Sequence, residues 1–142
     1  MNEKKRVLFV CIHNSARSQM CEAFLNLYGS EKFVAESAGI EKGNLNPYVV
    51  EVLKEKGIDI SGKSTNSVFD YAAQNRIYDY IITVCDKEAA DRCPYFPGKA
   101  IRLHWYFKDP SKLSGNENEI LKSTRSIRDE IEIAVRVFLH DN

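Results

Sequence analysis

Apolar residues follow two rhythms along the chain. The short continuous run RVLFVC at Arg6–Cys11 predicts a strand covered on both faces, and YDYIITVC at Tyr78–Cys85 predicts another strand. FVAESAG at Phe33–Gly39 and KAIRLHW at Lys99–Trp105 complete a set of four. Between these runs the period lengthens to three or four. From Ser18 to about Tyr28, the residues Met20, Ala23, Phe24 and Leu27 recur at helical spacing, with Gly29 as the stop. Asn46 and Pro47 open a second helix, which carries Val49, Val50, Val52 and Leu53 to Lys56 and halts at Gly57. NSVFDYAAQN at Asn66–Asn75 reads as a short helix. Ile120, Thr124, Ile127, Ile131, Ala134 and Phe138 mark a long amphipathic helix lying on a sheet.

Strands alternating with helices predict an α/β fold in one domain spanning residues 1–142, with a four-stranded parallel sheet, right-handed crossovers and flanking helices. Functional groups in such sheets gather beyond the carboxyl ends of the strands. Cys11 and Cys85 each end a strand, so the two thiols can meet in space despite their separation in sequence.

Composition narrows the classes. Of 142 residues, 44 % are hydrophobic and 28 % charged, which suits an ordinary globular domain. Twenty basic residues balance twenty acidic ones, so the excess that would draw nucleic acid or an anionic membrane is missing. No apolar run approaches the ~20 residues that cross a bilayer, and the N-terminal run lacks a cleavage site. A cytoplasmic monomer is the expectation. In that reducing compartment Cys11, Cys21, Cys85 and Cys93 are packed, metal-bound or catalytic rather than statically bridged. They lack the tight pairing of a zinc site and the histidines are scattered, so neither metal nor cofactor is expected.

The densest chemistry lies where the first strand ends. In a strand–Cys11-x5-Arg17–helix unit, successive backbone N–H groups of the loop can curl around a tetrahedral oxyanion, aided by the positive end of the helix. That makes Ile12, His13, Asn14, Ser15, Ala16, Arg17 and Ser18 the candidate oxyanion-binding residues. Arg17 can grip two oxygens with its planar fork. The same field favours thiolate at Cys11, a nucleophile in line with a bound oxyanion. Ser15 and Ser18 can donate hydroxyls, and Asn14 can bond backbone groups where a turn would otherwise need glycine. The plain alternative is a buried cysteine ending a strand, with Arg17 on a solvated helix start.

VCIHNSARSQM, followed by SAGI at Ser37–Ile40, GIDIS at Gly57–Ser61 and the pair Asp109–Pro110, resembles the low-molecular-weight protein tyrosine phosphatase superfamily. Within it, RSQM and VCDKEAADRCP resemble the thioredoxin-coupled arsenate reductases. The resemblance implies that Cys11 is the nucleophile, that Ser18 supports its thiolate, and that Asp109 is the general acid for the departing oxygen. It implies a relay in which Cys85 attacks Cys11 and Cys93 resolves a Cys85–Cys93 disulfide, with thioredoxin as reductant and arsenate or a phosphate-like oxyanion as ligand. Closing that bond requires the segment between the two cysteines to unfold, because a regular helix holds their α-carbons too far apart.

His13 stands where the phosphatases usually have glycine. Ala16 stands where they often have a second cysteine, and Ser111 where tyrosine commonly follows Asp–Pro. Two alternatives stay open: a phosphatase acting on phosphotyrosine or small phosphoesters, and a non-catalytic oxyanion-binding or redox module. Some relatives carry potassium near the loop. Glu22 and Ser37 match two of its ligands, but Asn66 replaces an aspartate, so Glu22 reads as a solvated or loop-supporting helix residue. Cys21 reads as core packing.

Overall fold

Val7, Leu8, Phe9 and Val10 are fully buried, and that is why β1 (Lys5–Cys11) occupies the interior of the sheet. The computed structural model describes residues 3–84 and 91–142. In it, β1 pairs in parallel with β2 (Phe33–Gly39) on one side and β3 (Tyr80–Thr83) on the other. The strand β4 (Ile101–His104) closes the order β2-β1-β3-β4. The expected four-stranded parallel sheet is therefore what forms. Its chain path steps from β1 to β2, then crosses back to β3 and β4. This reversal leaves a crevice beyond the carboxyl end of β1, where Cys11 sits.

Helices α1 (Arg17–Tyr28), α2 (Pro47–Lys54) and α3 (Val68–Ala73) lie between strands, and a short 3-10 turn at Pro110–Lys112 and α4 (Glu117–Asp141) follow β4. Asn46 caps α2 by accepting from the Tyr48 and Val49 N–H groups at 2.8 and 3.3 Å, with Pro47 first in the helix. Gly57, at φ 77°, then turns the chain as expected. The α4 stripe buries Thr124, Ile127, Ile131, Val135 and Phe138. Phe138 meets the rings of Phe33, Tyr80 and Trp105 with centroids 5.2–5.9 Å apart, locking the helix to the sheet.

Two expectations shift. Leu27 is 49 % exposed, because Phe24 and Leu25 carry the buried face near the end of α1. The strand expected over Tyr78–Cys85 contracts to Tyr80–Thr83. Cys85 lies outside the described residues, and so does the expectation that the segment after it unfolds.

Candidate active site

The loop after β1 contains no glycine, and three features replace it. Asn14 takes the left-handed conformation itself, at φ 56°, one of the few side chains that tolerate it. Gly39, at the end of β2, lets the loop approach: a Cβ there would lie 2.7 Å from the Asn14 nitrogen and the His13 carbonyl carbon. Gly43 does the same beneath the His13 side chain, whose Cβ would be 2.8 Å away. His13 therefore needs no glycine-like conformation, and its ring lies outward beside Glu41 at 3.3 Å.

Loop carbonyls are tied to their surroundings one after another. Cys11 O accepts from Ile40 N–H, Ile12 O from Glu41, His13 O from Gly43 and Ser15 O from Asn46, at 2.7–3.1 Å. Asn14 O accepts from the Gln19 side chain at 3.2 Å. In a planar trans peptide the next residue's N–H points opposite to the carbonyl. The N–H groups of Ile12 to Ala16 are thereby turned away from these partners. One of them shows where they face: Asn14 N–H donates to the Cys11 sulfur at 3.1 Å. Cys11 Sγ also lies 2.9 Å from Ser18 Oγ, which accepts from Asn14 Nδ2 at 2.8 Å. The Asn14 side-chain oxygen accepts from the Asn66 N–H at 2.9 Å and from Gln19 at 3.2 Å, so the residue is buried with every polar group engaged.

Arg17 opens α1 and is 7 % exposed. One guanidinium nitrogen lies 3.4 Å from Asp109 Oδ2, and another donates to the Phe107 carbonyl at 3.2 Å. Asp109 is positioned by its own turn, where Oδ1 accepts from Ser111 N–H at 2.9 Å. Ser111 Oγ accepts in turn from Asn46 Nδ2 at 3.0 Å, which ties the Asp109 loop to the α2 cap. A cleft of about 250 Å³ opens here, lined by Ile12, Arg17, Tyr106, Lys108, Asp109 and Lys112. Cys11, Asn14 and Ser18 thus form one hydrogen-bonded group, and Arg17, next to Ser18 at the start of α1, pairs with Asp109 from ninety-two residues away in sequence. A nucleophilic sulfur, inward amides, a fixed cation and a nearby carboxyl together suit attack on a tetrahedral oxyanion.

The sequence matches the family Low molecular weight phosphotyrosine protein phosphatase over residues 6–141. The chain belongs to that family. It is 40 % identical over 136 residues to an arsenate reductase of Bacillus subtilis, covering 96 % of both chains. Among solved structures it resembles an arsenate reductase from Archaeoglobus fulgidus, with TM-score 0.75 and 30 % identity over 94 % of this chain and 98 % of that one. It also resembles a thioredoxin-dependent arsenate reductase from Corynebacterium glutamicum, with TM-score 0.65 and 28 % identity over 96 % of this chain and 64 % of that one.

Behind the loop a second polar cluster supports it. Glu22 is buried, not solvated: Ser37 Oγ donates to its Oε1 at 2.9 Å, while the Lys63 ammonium pairs with its Oε2. Asn66 turns its amide nitrogen, a donor, toward the Ser37 and Ser64 carbonyls at 3.4 and 3.5 Å. An ammonium on the carboxylate and a donor in place of an acid do not fit a potassium ion. Gln19 anchors the same segment by donating to Ser64 O at 3.2 Å. Gln19, Lys63 and Ser64 are supports that the sequence did not reveal.

Two further cysteines, Cys21 and Cys93, lie among the described residues. Cys21 is fully buried in α1, and burial pushes its thiol well above the ordinary range, with Cys11 adding to the effect, so it is an inert packing residue. Cys93 is half-buried at the outer edge of the sheet. There, burial raises its thiol while Arg102, whose nitrogen lies 3.9 Å from the sulfur, works against the rise. No helix among the described residues is long and apolar enough to cross a membrane.

Proposed function

We propose that this chain reduces arsenate to arsenite through a thiol cascade. The observation that carries the proposal is the Cys11 sulfur held by Asn14 N–H and Ser18 in a loop whose amides face inward beside Arg17. Arsenate takes the loop amides and the Arg17 fork. The Cys11 thiolate attacks arsenic, and Asp109 protonates the oxygen that leaves as water. Cys85 then attacks the Cys11 sulfur. The S–As electron pair stays on arsenic, which departs as arsenite, and a Cys11–Cys85 disulfide remains. Cys93 attacks Cys85, frees Cys11 and leaves a Cys85–Cys93 disulfide for thioredoxin to reduce. The 40 % identical Bacillus subtilis arsenate reductase and the thioredoxin-dependent Corynebacterium neighbour support this reading over a phosphatase. The need for reduced thiols suits the cytoplasm, with a single domain acting as a monomer.

Family membership keeps phosphoester hydrolysis as the second reading, since it uses the same thiol, loop and acid. One pair of assays separates them: NADPH oxidation through thioredoxin reductase and thioredoxin with arsenate, beside hydrolysis of an aryl phosphate. Cys11→Ser should silence both, because a hydroxyl stays protonated where a thiolate forms. Cys93→Ser should stop reductase turnover after one cycle and spare hydrolysis. Vigorous hydrolysis with no arsenate-dependent NADPH oxidation would reverse the assignment.

A further inference from the structure

Of the chain's eight arginines, one stands out by having neither an acid nor a ring as partner among the described residues. Arg6 and Arg76 pair with Glu36, Arg17 with Asp109, Arg92 with Glu41, and Arg125 and Arg128 with Glu55. Arg136 lies over the Tyr28 ring. Among the described residues Arg102 has neither an acid nor a ring. Its polar contact is the Cys93 sulfur, 3.9 Å from a guanidinium nitrogen. A cation with no acid beside it among the described residues, set against a half-buried thiol, is arranged for a charge that appears when the thiol loses its proton.

Among the described residues, the surroundings leave this role to Arg102. His104 lies two residues along on the same face of β4, and its Nδ1 is held by Thr83 Oγ1 at 2.7 Å. Arg92 is drawn to Glu41 at 3.5 Å, and Asp91 precedes it in the chain. Because Arg102 belongs to a paired strand, its backbone is fixed by the register Ile81↔Arg102 while its side chain is exposed. A guanidinium keeps its charge at any pH the protein survives, which an ammonium beside a thiol does less securely.

We propose that Arg102 is a positioning residue for the resolving step, holding the Cys93 sulfur at the sheet edge and stabilising its thiolate. This rests on the arsenate reductase reading. In the step, Cys93 gives its proton to solvent and its thiolate attacks the Cys85 sulfur of the Cys11–Cys85 disulfide. The Cys85–Cys93 bond forms as the Cys11–Cys85 bond breaks, and Cys11 leaves as thiolate. One disulfide replaces another, so no further oxidant enters.

The test compares wild type, Arg102→Met and Arg102→Lys as full-length reduced proteins. Iodoacetamide labelling of Cys93 is followed by peptide mass spectrometry across pH 6–10. Arg102→Met should move the Cys93 labelling midpoint up by about one pH unit, making labelling roughly tenfold slower near neutrality. Arg102→Lys should recover most of the loss, while Cys11 labelling in the same digests stays unchanged. In a second arm, one equivalent of arsenate is added without reductant. Arg102→Met should accumulate the Cys11–Cys85 disulfide and form Cys85–Cys93 about tenfold more slowly at neutral pH, with the gap closing in alkali. An unshifted Cys93 midpoint in Arg102→Met, or equal rates of Cys85–Cys93 formation, would overturn the proposal. Wild type that fails to consume arsenate would instead overturn the reductase reading, and the labelling arm alone would then decide the Arg102–Cys93 coupling.

Discussion

Gly39 sets the position of the oxyanion loop from outside it, and Gly39→Ala puts a number on that control. The added methyl would lie 2.7 Å from both the Asn14 nitrogen and the His13 carbonyl carbon, and 2.8 Å from the Glu41 oxygen. Ordinary contact begins at 3.4 Å, so three backbone atoms must each retreat by roughly 0.6–0.7 Å. None is the tip of a flexible side chain, and all lie in segments bound to one another through Cys11, Ile12 and His13. Overpacking of this kind costs about 1–3 kcal/mol, or about 3–9 °C in Tm for a chain of this size. The Asn14 N–H now 3.1 Å from the Cys11 sulfur moves with the loop, and such displacement costs on the order of tenfold to a hundredfold in kcat/KM. Gly62→Ala is the control, since nothing lies within 4 Å of its added methyl. Thermal unfolding, calorimetric titration with inorganic phosphate and arsenate turnover give the three readouts. If Gly39→Ala binds phosphate as tightly as Gly62→Ala, the close approach does not position the loop.

Three further outcomes are expected. Asp109→Asn should slow aryl phosphate hydrolysis by about 10²–10⁴-fold through loss of the general acid, while phosphate binds at least as well because the Arg17 fork loses a competing carboxylate; unchanged kcat in steady-state kinetics would remove Asp109 from the site. Lys63→Met should destabilise the fold by about 1–2 kcal/mol in urea unfolding, well below the cost of breaking a fully buried pair because Lys63 is 44 % exposed while Glu22 is 7 % exposed. Adding Glu22→Gln should recover part of that loss, and an unshifted midpoint in the single variant would refute the support. Hydrogen bonding to Arg125, then to Arg128, holds the Glu55 carboxyl below its ordinary value against the opposing effect of desolvation. A lowered folded value means stabilisation that is present at neutral pH and lost as the pH falls through it, so the Tm difference between wild type and Glu55→Gln should shrink below about pH 4.

Local chemistry was legible in the sequence, and close approach was not. Cys11, Arg17 and Ser18 announce the loop because their types and spacing are set by the anion they must hold, within a single strand-to-helix junction. The four parallel strands follow from short apolar-rich runs between helical ones. Gly39, however, reads as the end of a strand; only the folded register shows that its missing side chain makes room for Asn14. Glu22 falls at a position that spacing alone would leave solvated, and its burial depends on Lys63 arriving from a loop forty-one residues later. Gln19 looks like any polar residue in a first helical turn, yet it bridges Asn14 and Ser64. Such supports are fixed by tertiary neighbours, which periodicity does not encode.

A loop built for tetrahedral oxyanions does not by itself choose between phosphorus and arsenic, since both present the same charge and nearly the same shape. The two part after the first attack. Once sulfur is joined to phosphorus, the accessible exit is water attacking phosphorus, because expelling a trivalent phosphorus species toward a thiol is strongly unfavourable. Arsenic gives up its higher oxidation state readily, so a second thiolate that reaches the Cys11 sulfur can leave the electron pair on arsenic. The choice therefore lies outside the loop, in whether thiols are supplied faster than water. Cys93, half-buried at the sheet edge beside Arg102, has no use in hydrolysis, and in the proposed relay it is the thiol that clears the Cys11–Cys85 disulfide. On this reading the arsenate specificity of the chain resides in its resolving thiols, and grafting a cysteine pair onto a phosphatase relative without a cation beside the resolving sulfur should give slow, alkali-dependent reduction.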